Sequence, residues 1–388
     1  MIKNHSVSNV IIYLLIIGFS VLFIVFGSRI CKPELFEQST EEFYKAKVIL
    51  VGETETEVFT LGDGNSFESR KIHFTALITS GVHTGETVEA VQSMNTMYSI
   101  QPKEIKNGSK IIISPSSMLE EGQEEWIFIE YNRSDTLIWF GIIFLLLLLI
   151  FGRSKGLSTI VSLVFTVFAI FSVYIPSILK GYNVYLSTFV ISIFIIFMSL
   201  LIMNGPNKKT ICAIVGNIGG VALAGLIAVV MNHILNITGI VDEDYAFLMS
   251  AQLENPINLI AIVWGGIVIG SLGAIMDVAM SISSAMNELA ENMEERTFAK
   301  LIKSGMNIGR DTIGTMTNTL ILAYVGSSLA TVLLLIVYNK NTLFLFNMEM
   351  IVVEVLQAIV GSLGILFAVP ATALFSAYIF TKEKRINK

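Results

Sequence analysis

Apolar residues along this chain gather into long blocks, and charged residues are confined to the stretches between them. Eight blocks approach the roughly 20 residues that a helix needs to cross a bilayer. They run at 10–27, 136–151, 157–178, 184–203, 211–231, 257–278, 312–337 and 350–379. The second is the shortest. The eighth is long enough to tilt or kink, and Pro370 supplies the kink point.

Between the first two blocks the period changes from helix to strand. In Arg70–Ile78 the residues Ile72, Phe74, Ala76 and Ile78 alternate, as on one face of a strand. AKVILV, TEVFTL, TVEAV, KIIIS and EWIFIEY repeat the pattern, a polar linker PELFEQSTEEF precedes them, and LGDGN, SGVHTGE and KNGSK supply turns. The expected fold class is an α-helical polytopic membrane protein of about eight transmembrane helices, with a small all-β extracytoplasmic domain inserted between the first two spans. That domain reads as an OB-like barrel or a sandwich. The expected organisation is a cytoplasmic N-terminus and anchor over 1–27, the β-rich domain over 28–135, a seven-helix membrane domain over 136–380 and a basic tail over 381–388.

Basic residues in short loops mark the cytoplasmic side. Arg153 and Lys155, Lys208 and Lys209, the group Arg296, Lys300, Lys303 and Arg310, and the group Lys382, Lys384, Arg385 and Lys388 all fall on one side. The opposite loops carry little beyond Lys180 and Lys340, and one is acidic through Asp242, Glu243, Asp244 and Glu254. Both termini are therefore expected in the cytoplasm, with residues 28–135 outside. The first block also has a second reading, a cleaved signal peptide. Its length and the lack of a nearby small-x-small site favour an anchor.

Composition narrows the chemistry. The chain is 53% hydrophobic and 14% charged, against roughly a quarter charged in soluble domains. A net charge of −6 without a basic stripe speaks against nucleic acid as a partner. Cys31 and Cys212 form no CxxC or zinc spacing, and no GxxxxGK[ST], HExxH or GxSxG occurs. His5, His73, His83 and His233 are scattered outside the spans. No metal, cofactor or enzymatic reaction is expected; the expected partner is the lipid bilayer.

The polar groups that remain concentrate around spans six and seven. If 277–288 is helical, Asp277, Ser281, Ser284 and Glu288 share one face, with Asn287 beside them. On span seven Asp311, Thr315 and Asn318 share a face, and Arg310, Gly314 and Thr317 an adjacent one. Packing these faces together would pair Arg310 with Asp277 or Glu288, because charges near lipid need partners. Hard oxygen ligands of this kind suit a proton, sodium or another hard cation. The alternative is structural: interfacial charges that only staple a hairpin. Glu354 and Gln357 enter span eight from the outer side, as a second station or as a snorkelling pair. Met286, Leu289, Met293, Thr297 and Leu301 form an apolar stripe.

Small residues recur at GxxxG spacing in Gly216 and Gly220, Gly266 and Gly270, and Gly305 and Gly309, with Gly273 and Gly314 extending the pattern. Such spacing suits close helix packing rather than substrate contact.

The stretches GSLGAIMDVAMSISSAMNEL and SGMNIGRDTIGTMTNTLILAYVGSSL, with RSKGL, YIPSILKGYN and NGPN, resemble the YibE/F-like family of bacterial integral membrane proteins. The resemblance implies an integral protein of this layout in a bacterial plasma (inner) membrane, and weight on Asp277, Asn287, Glu288, Arg310, Asp311 and Asn318. It brings no reaction. The residues support a secondary transporter or permease for an ion or small solute, using the polar hairpin. A non-transporting scaffold or assembly factor is the alternative, its β domain binding an envelope partner. Either accommodates a homo-oligomer.

Overall fold

The computed structural model describes residues 2–31, 42–60, 66–95, 102–116, 125–250, 255–293, 296–338 and 341–386. Most of the expected polar linker, the LGDGN turn, Glu254, Lys340 and Lys388 lie outside these residues. Two compact units form: Glu34–Leu147, and Met1–Pro33 together with Leu148–Lys388.

The chain begins with helix α1 (Ile2–Cys31) and then builds five strands: β1 (Tyr44–Thr60), β2 (Ser66–Ile78), β3 (Thr87–Asn95), β4 (Lys110–Ser116) and β5 (Glu125–Tyr131). They close into a barrel in the order β1-β2-β3-β5-β4, with β1 also paired to β4. Of the two β architectures the sequence allows, the barrel is the one that forms. Ile72, Phe74, Ala76 and Ile78 all point inward, as their alternation requires, and meet Val48, Ile111, Ile113 and Trp126. AKVILV and TEVFTL prove to be one strand. Register shifts between Val48 and Leu50 and between Val51 and Thr54 interrupt its pairing with β2, which lets a long strand bend around a small barrel. The buried amide of Gln92 donates to Lys103 O and accepts from Ile105 N, both at 3.0 Å, so its burial is matched by hydrogen bonds. Asp135 receives bonds from Lys45 Nζ at 2.7 Å and Asn132 Nδ2 at 2.9 Å, joining the barrel to the first turn of the next helix.

That helix, α2 (Ser134–Ala169), passes through a π-helical turn (Ile170–Tyr174) into α3 (Ile175–Leu179). There follow α4 (Val184–Asn204), α5 (Lys208–Ile234), α6 (Glu243–Ser250), α7 (Leu259–Asn292), α8 (Phe298–Ser327), α9 (Leu329–Tyr338), α10 (Thr342–Leu345) and α11 (Glu349–Ile386). Asn183, Asn207 and Asn258 cap α4, α5 and α7 by accepting from Leu186, Thr210 and Ala261 amides, the role that a short side-chain carbonyl serves best at a helix start. Among the described residues six helical stretches are long and apolar enough to cross a membrane, or seven if α8 and α9 count as one bent span.

Two boundaries differ from the sequence reading. The break expected between the second and third spans is kept: α2 consists of two helices parted at Arg153 (φ 48°, ψ −128°). There the chain doubles back so tightly that Gly156 rests on the Leu148 carbonyl, an approach that excludes any side chain. The seventh expected span breaks near Ser328, where α8 and α9 meet at 57°. Helix α7 runs on to Asn292 and α8 starts at Phe298, so the hairpin extends well beyond the apolar limits of 278 and 312. Helix α11 is one helix through Pro370, as the eighth expected span was, and packs against α5, α7 and α8.

Candidate functional site: the outer face of the α7–α8 hairpin

Helices α5, α7, α8 and α11 form the densest part of the larger unit. Their shared core contains Cys212, Ile275, Val278, Ile282, Met286, Leu301, Leu320, Ile365, Ala368 and Val369. Small residues bring the backbones together. Gly216 lies on Thr372, and an added carbon at Gly220 would stand 2.8 Å from Gly364 O and 2.9 Å from Ile275 Cγ2.

Three contacts set the antiparallel register of α7 and α8. A carbon added at Gly305 would lie 2.5 Å from Met286 Sδ, one at Gly309 would lie 3.4 Å from Ile282 Cδ1, and Leu320 and Ser271 both converge on Gly361. In that register Asp277 is level with Gly314, Ser281 with Arg310 and Gly273 with Asn318. Ser283 Oγ donates to Lys209 O at 2.7 Å, tying this level of α7 to the basic first turn of α5. Asp277 lies six residues from Ser283, about 9 Å along the axis at 1.5 Å per residue.

The hairpin turns its apolar stripes inward, and the polar groups singled out in the sequence end up outside. Asp277, Ser281 and Glu288 are exposed, and Ser284 is half-buried. On α8, Arg310, Asp311, Gly314, Thr315 and Asn318 are exposed, while Leu301, Gly305, Gly309 and Leu320 face the bundle. Gly266, Gly273 and Gly314 are equally open, with nothing within 4 Å of a carbon added at any of them. The two outer faces border one seam, because the Tyr324 hydroxyl reaches across to within 2.7 Å of a carbon added at Gly270.

The expected ion pair does not form. The side chains of Asp277, Arg310, Asp311 and Asn318 have no hydrogen-bond or ion-pair partner among the described residues. The reason is angular. The residues that bring α7 and α8 together are Ile282, Met286, Gly305 and Gly309, and the charged positions lie off that contact line. Asn287 is bound locally, through Nδ2 to Glu291 Oε1 at 2.7 Å, and Thr315 Oγ1 returns to Thr312 O at 3.0 Å. Glu354 is half-buried on α11, away from Asp277, at the level of α6. There burial, with the charges of Asp242 and Glu354, pushes the Tyr245 hydroxyl above its usual range.

Two polar features went unremarked in the sequence reading. Asn217, inside α5, is fully buried with neither amide atom bonded; its signal was an amide alone in an apolar span. Glu349, at the start of α11, accepts from Thr238 N at 2.9 Å, Gly239 N at 2.8 Å and Thr238 Oγ1 at 2.8 Å. Its partners are more than a hundred residues away, so no local pattern announces it.

A family model described as YibE/F-like protein matches residues 140–382. No curated protein and no solved structure matches the chain.

Proposed function

The chain belongs to the YibE/F-like family, and on that premise we propose a multi-pass plasma-membrane permease that moves an ion or small solute along the outer face of the α7–α8 hairpin. One observation carries this reading: a row of polar groups without a partner among the described residues, Asp277, Arg310, Asp311 and Asn318, on adjacent helices whose other faces are packed. If Lys209 marks the cytoplasmic boundary, Asp277 sits about 9 Å inside it and Asn318, level with Gly273, about 15 Å inside. Polar side chains at that depth are costly against lipid and tend to line aqueous paths.

Eight crossings follow when the run Ser134–Leu179 is divided at Arg153 and α8–α9 is taken as one bent span. Uninterrupted, 46 residues would reach about 69 Å, more than twice the hydrocarbon thickness of about 30 Å. This arrangement has both termini in the cytoplasm and the barrel, read as the OB type, on the opposite side.

The inner seam of α5, α7, α8 and α11 is closely packed, its buried hydroxyls Ser283, Thr372 and Ser376 included, so the path is assigned to the hairpin's outer face, where it needs a cover. A second copy of the chain suits it. Arg310 is close in depth to Asp277 and Asp311, so two copies related by an axis along the membrane normal can exchange these charges. The outward Gly273 and Gly314 permit close approach. The packed interior also favours the alternative of a scaffold, in which the same face only joins copies.

Flux of protons, sodium, potassium and small anions in reconstituted vesicles separates the two. Transport by the native chain that falls in Asp277→Asn supports the permease. Transport unaffected by that change removes Asp277 from the path, and no flux for any solute leaves the scaffold. Cysteine cross-linking at Asn318, in a chain with Cys31 and Cys212 replaced by serine, reports the second copy independently.

A further inference from the structure

At the end of the bundle near the α7–α8 turn lies a cavity of about 480 Å³, lined by Asn207, Lys208, Lys209, Asn287, Glu291 and Arg296, with Phe380 as an apolar wall. It falls within the size range of small-ligand sites. Its walls come from the loop before α5, the last turns of α7, the turn leading to α8, and α11.

Among the described residues the lining carries Lys208, Lys209 and Arg296 beside the single carboxylate of Glu291. That carboxylate, Glu291, is engaged by Asn287 Nδ2. Lys209 and Arg296 form no ion pair among the described residues. The loop is held in place rather than free. Asn207 Oδ1 accepts from Thr210 N at 3.0 Å and Thr210 Oγ1 at 2.9 Å, and Ser283 Oγ anchors Lys209 O. The positive end of the 27-residue helix α5 opens at the same place.

We infer that this cavity binds a phosphate-bearing anion. Tetrahedral phosphoryl oxygens are strong acceptors, and a guanidinium fork beside a lysine ammonium supplies matching charge-assisted donors. Two sources share that chemistry: a phosphate compound free in solution, and the headgroup of an anionic phospholipid. Either would bridge the loop before α5 to the α7–α8 turn and so clamp the hairpin to the bundle. The inference is independent of whether the outer face conducts anything.

The test uses the full chain. Binding of radiolabelled inorganic phosphate is measured by equilibrium dialysis in detergent. Protection against thermal unfolding is measured in phosphatidylcholine discs with and without phosphatidylglycerol. Arg296→Gln and Lys209→Gln are compared with Lys303→Gln, an exposed cation on α8 outside the lining. Unliganded melting of each variant verifies that it folds. Saturable binding in either arm, weakened about tenfold or more by the two cavity changes and untouched by the control, supports the site. Effects in the phosphate arm alone identify a soluble ligand, and effects in the phosphatidylglycerol arm alone identify a lipid headgroup. Absence of binding in both arms, or equal loss in the control, overturns the inference.

Discussion

Met286 covers Gly305: a carbon added at that glycine would stand 2.5 Å from the methionine sulfur and 3.1 Å from Ala373 Cβ. Helices α7, α8 and α11 thus converge where there is no room for a side chain. Gly305→Leu is expected to destabilise the chain by about 1–3 kcal/mol through overpacking, seen as a lower melting midpoint in detergent. Gly314→Leu, which meets open space, should stay within about 0.5 kcal/mol while weakening cross-linking between copies at Asn318. Equal loss of stability at both positions would contradict the packing described.

Glu349 holds the loop after α5 to the start of α11 through three accepted bonds. Glu349→Ala leaves two amides and a hydroxyl without their acceptor, at a cost of about 1–3 kcal/mol. Hydrogen exchange at the Thr238 and Gly239 amides should accelerate well before α5 responds. Unchanged protection at those amides would show that the clamp contributes nothing.

Asn217 presents the opposite case, a buried amide whose atoms bond to nothing among the described residues. Leucine is close to asparagine in shape and needs no partners. Asn217→Leu is therefore expected to stabilise by about 1–3 kcal/mol, read from the melting midpoint. Marked destabilisation would mean that the amide holds a ligand or water of its own.

In the barrel, the Tyr131 amide donates to Glu130 Oε1 at 2.9 Å, and Arg133 Nη1 lies 3.2 Å from the same atom. These two interactions, the amide bond the larger, hold the carboxyl below its usual range. A lowered folded pKa means that this contribution is complete above the unfolded glutamate value of about 4.3. It is lost as the pH falls through the lower, folded value. Exchange protection at the Tyr131 amide should therefore fade only below the ordinary glutamate range. Glu130→Gln should remove that pH dependence. A transition at or above the ordinary value would refute the assignment.

Local periodicity carried much of the architecture. Alternation in Arg70–Ile78 determined which side chains fill the barrel, because a strand has only two faces and one must be apolar. Block length located most helices, since bilayer thickness is a constraint each segment meets alone. Breaks were harder to see. The polar GRSKG stretch announced the break at Arg153, but Ser328 interrupts a run that remains apolar on both sides, so the hydropathy pattern does not register it.

The hairpin marks where sequence reasoning ends. Spacing along α7 and α8 correctly grouped Asp277 with Ser281, and Asp311 with Thr315 and Asn318, because residues three and four apart share a helical face whatever surrounds it. Which way each face turns is a different question, decided by how several helices pack at once. Gly305 and Gly309 admit Met286 and Val369, and that contact rotates the polar stripes outward, away from the pairing that their charges alone suggested. The clamp at Glu349 and the cation-lined cavity around Arg296 belong to the same class, since their members are scattered along the chain and meet only after folding. Faces are properties of one helix and are written in its residues; their partners are properties of the packed bundle.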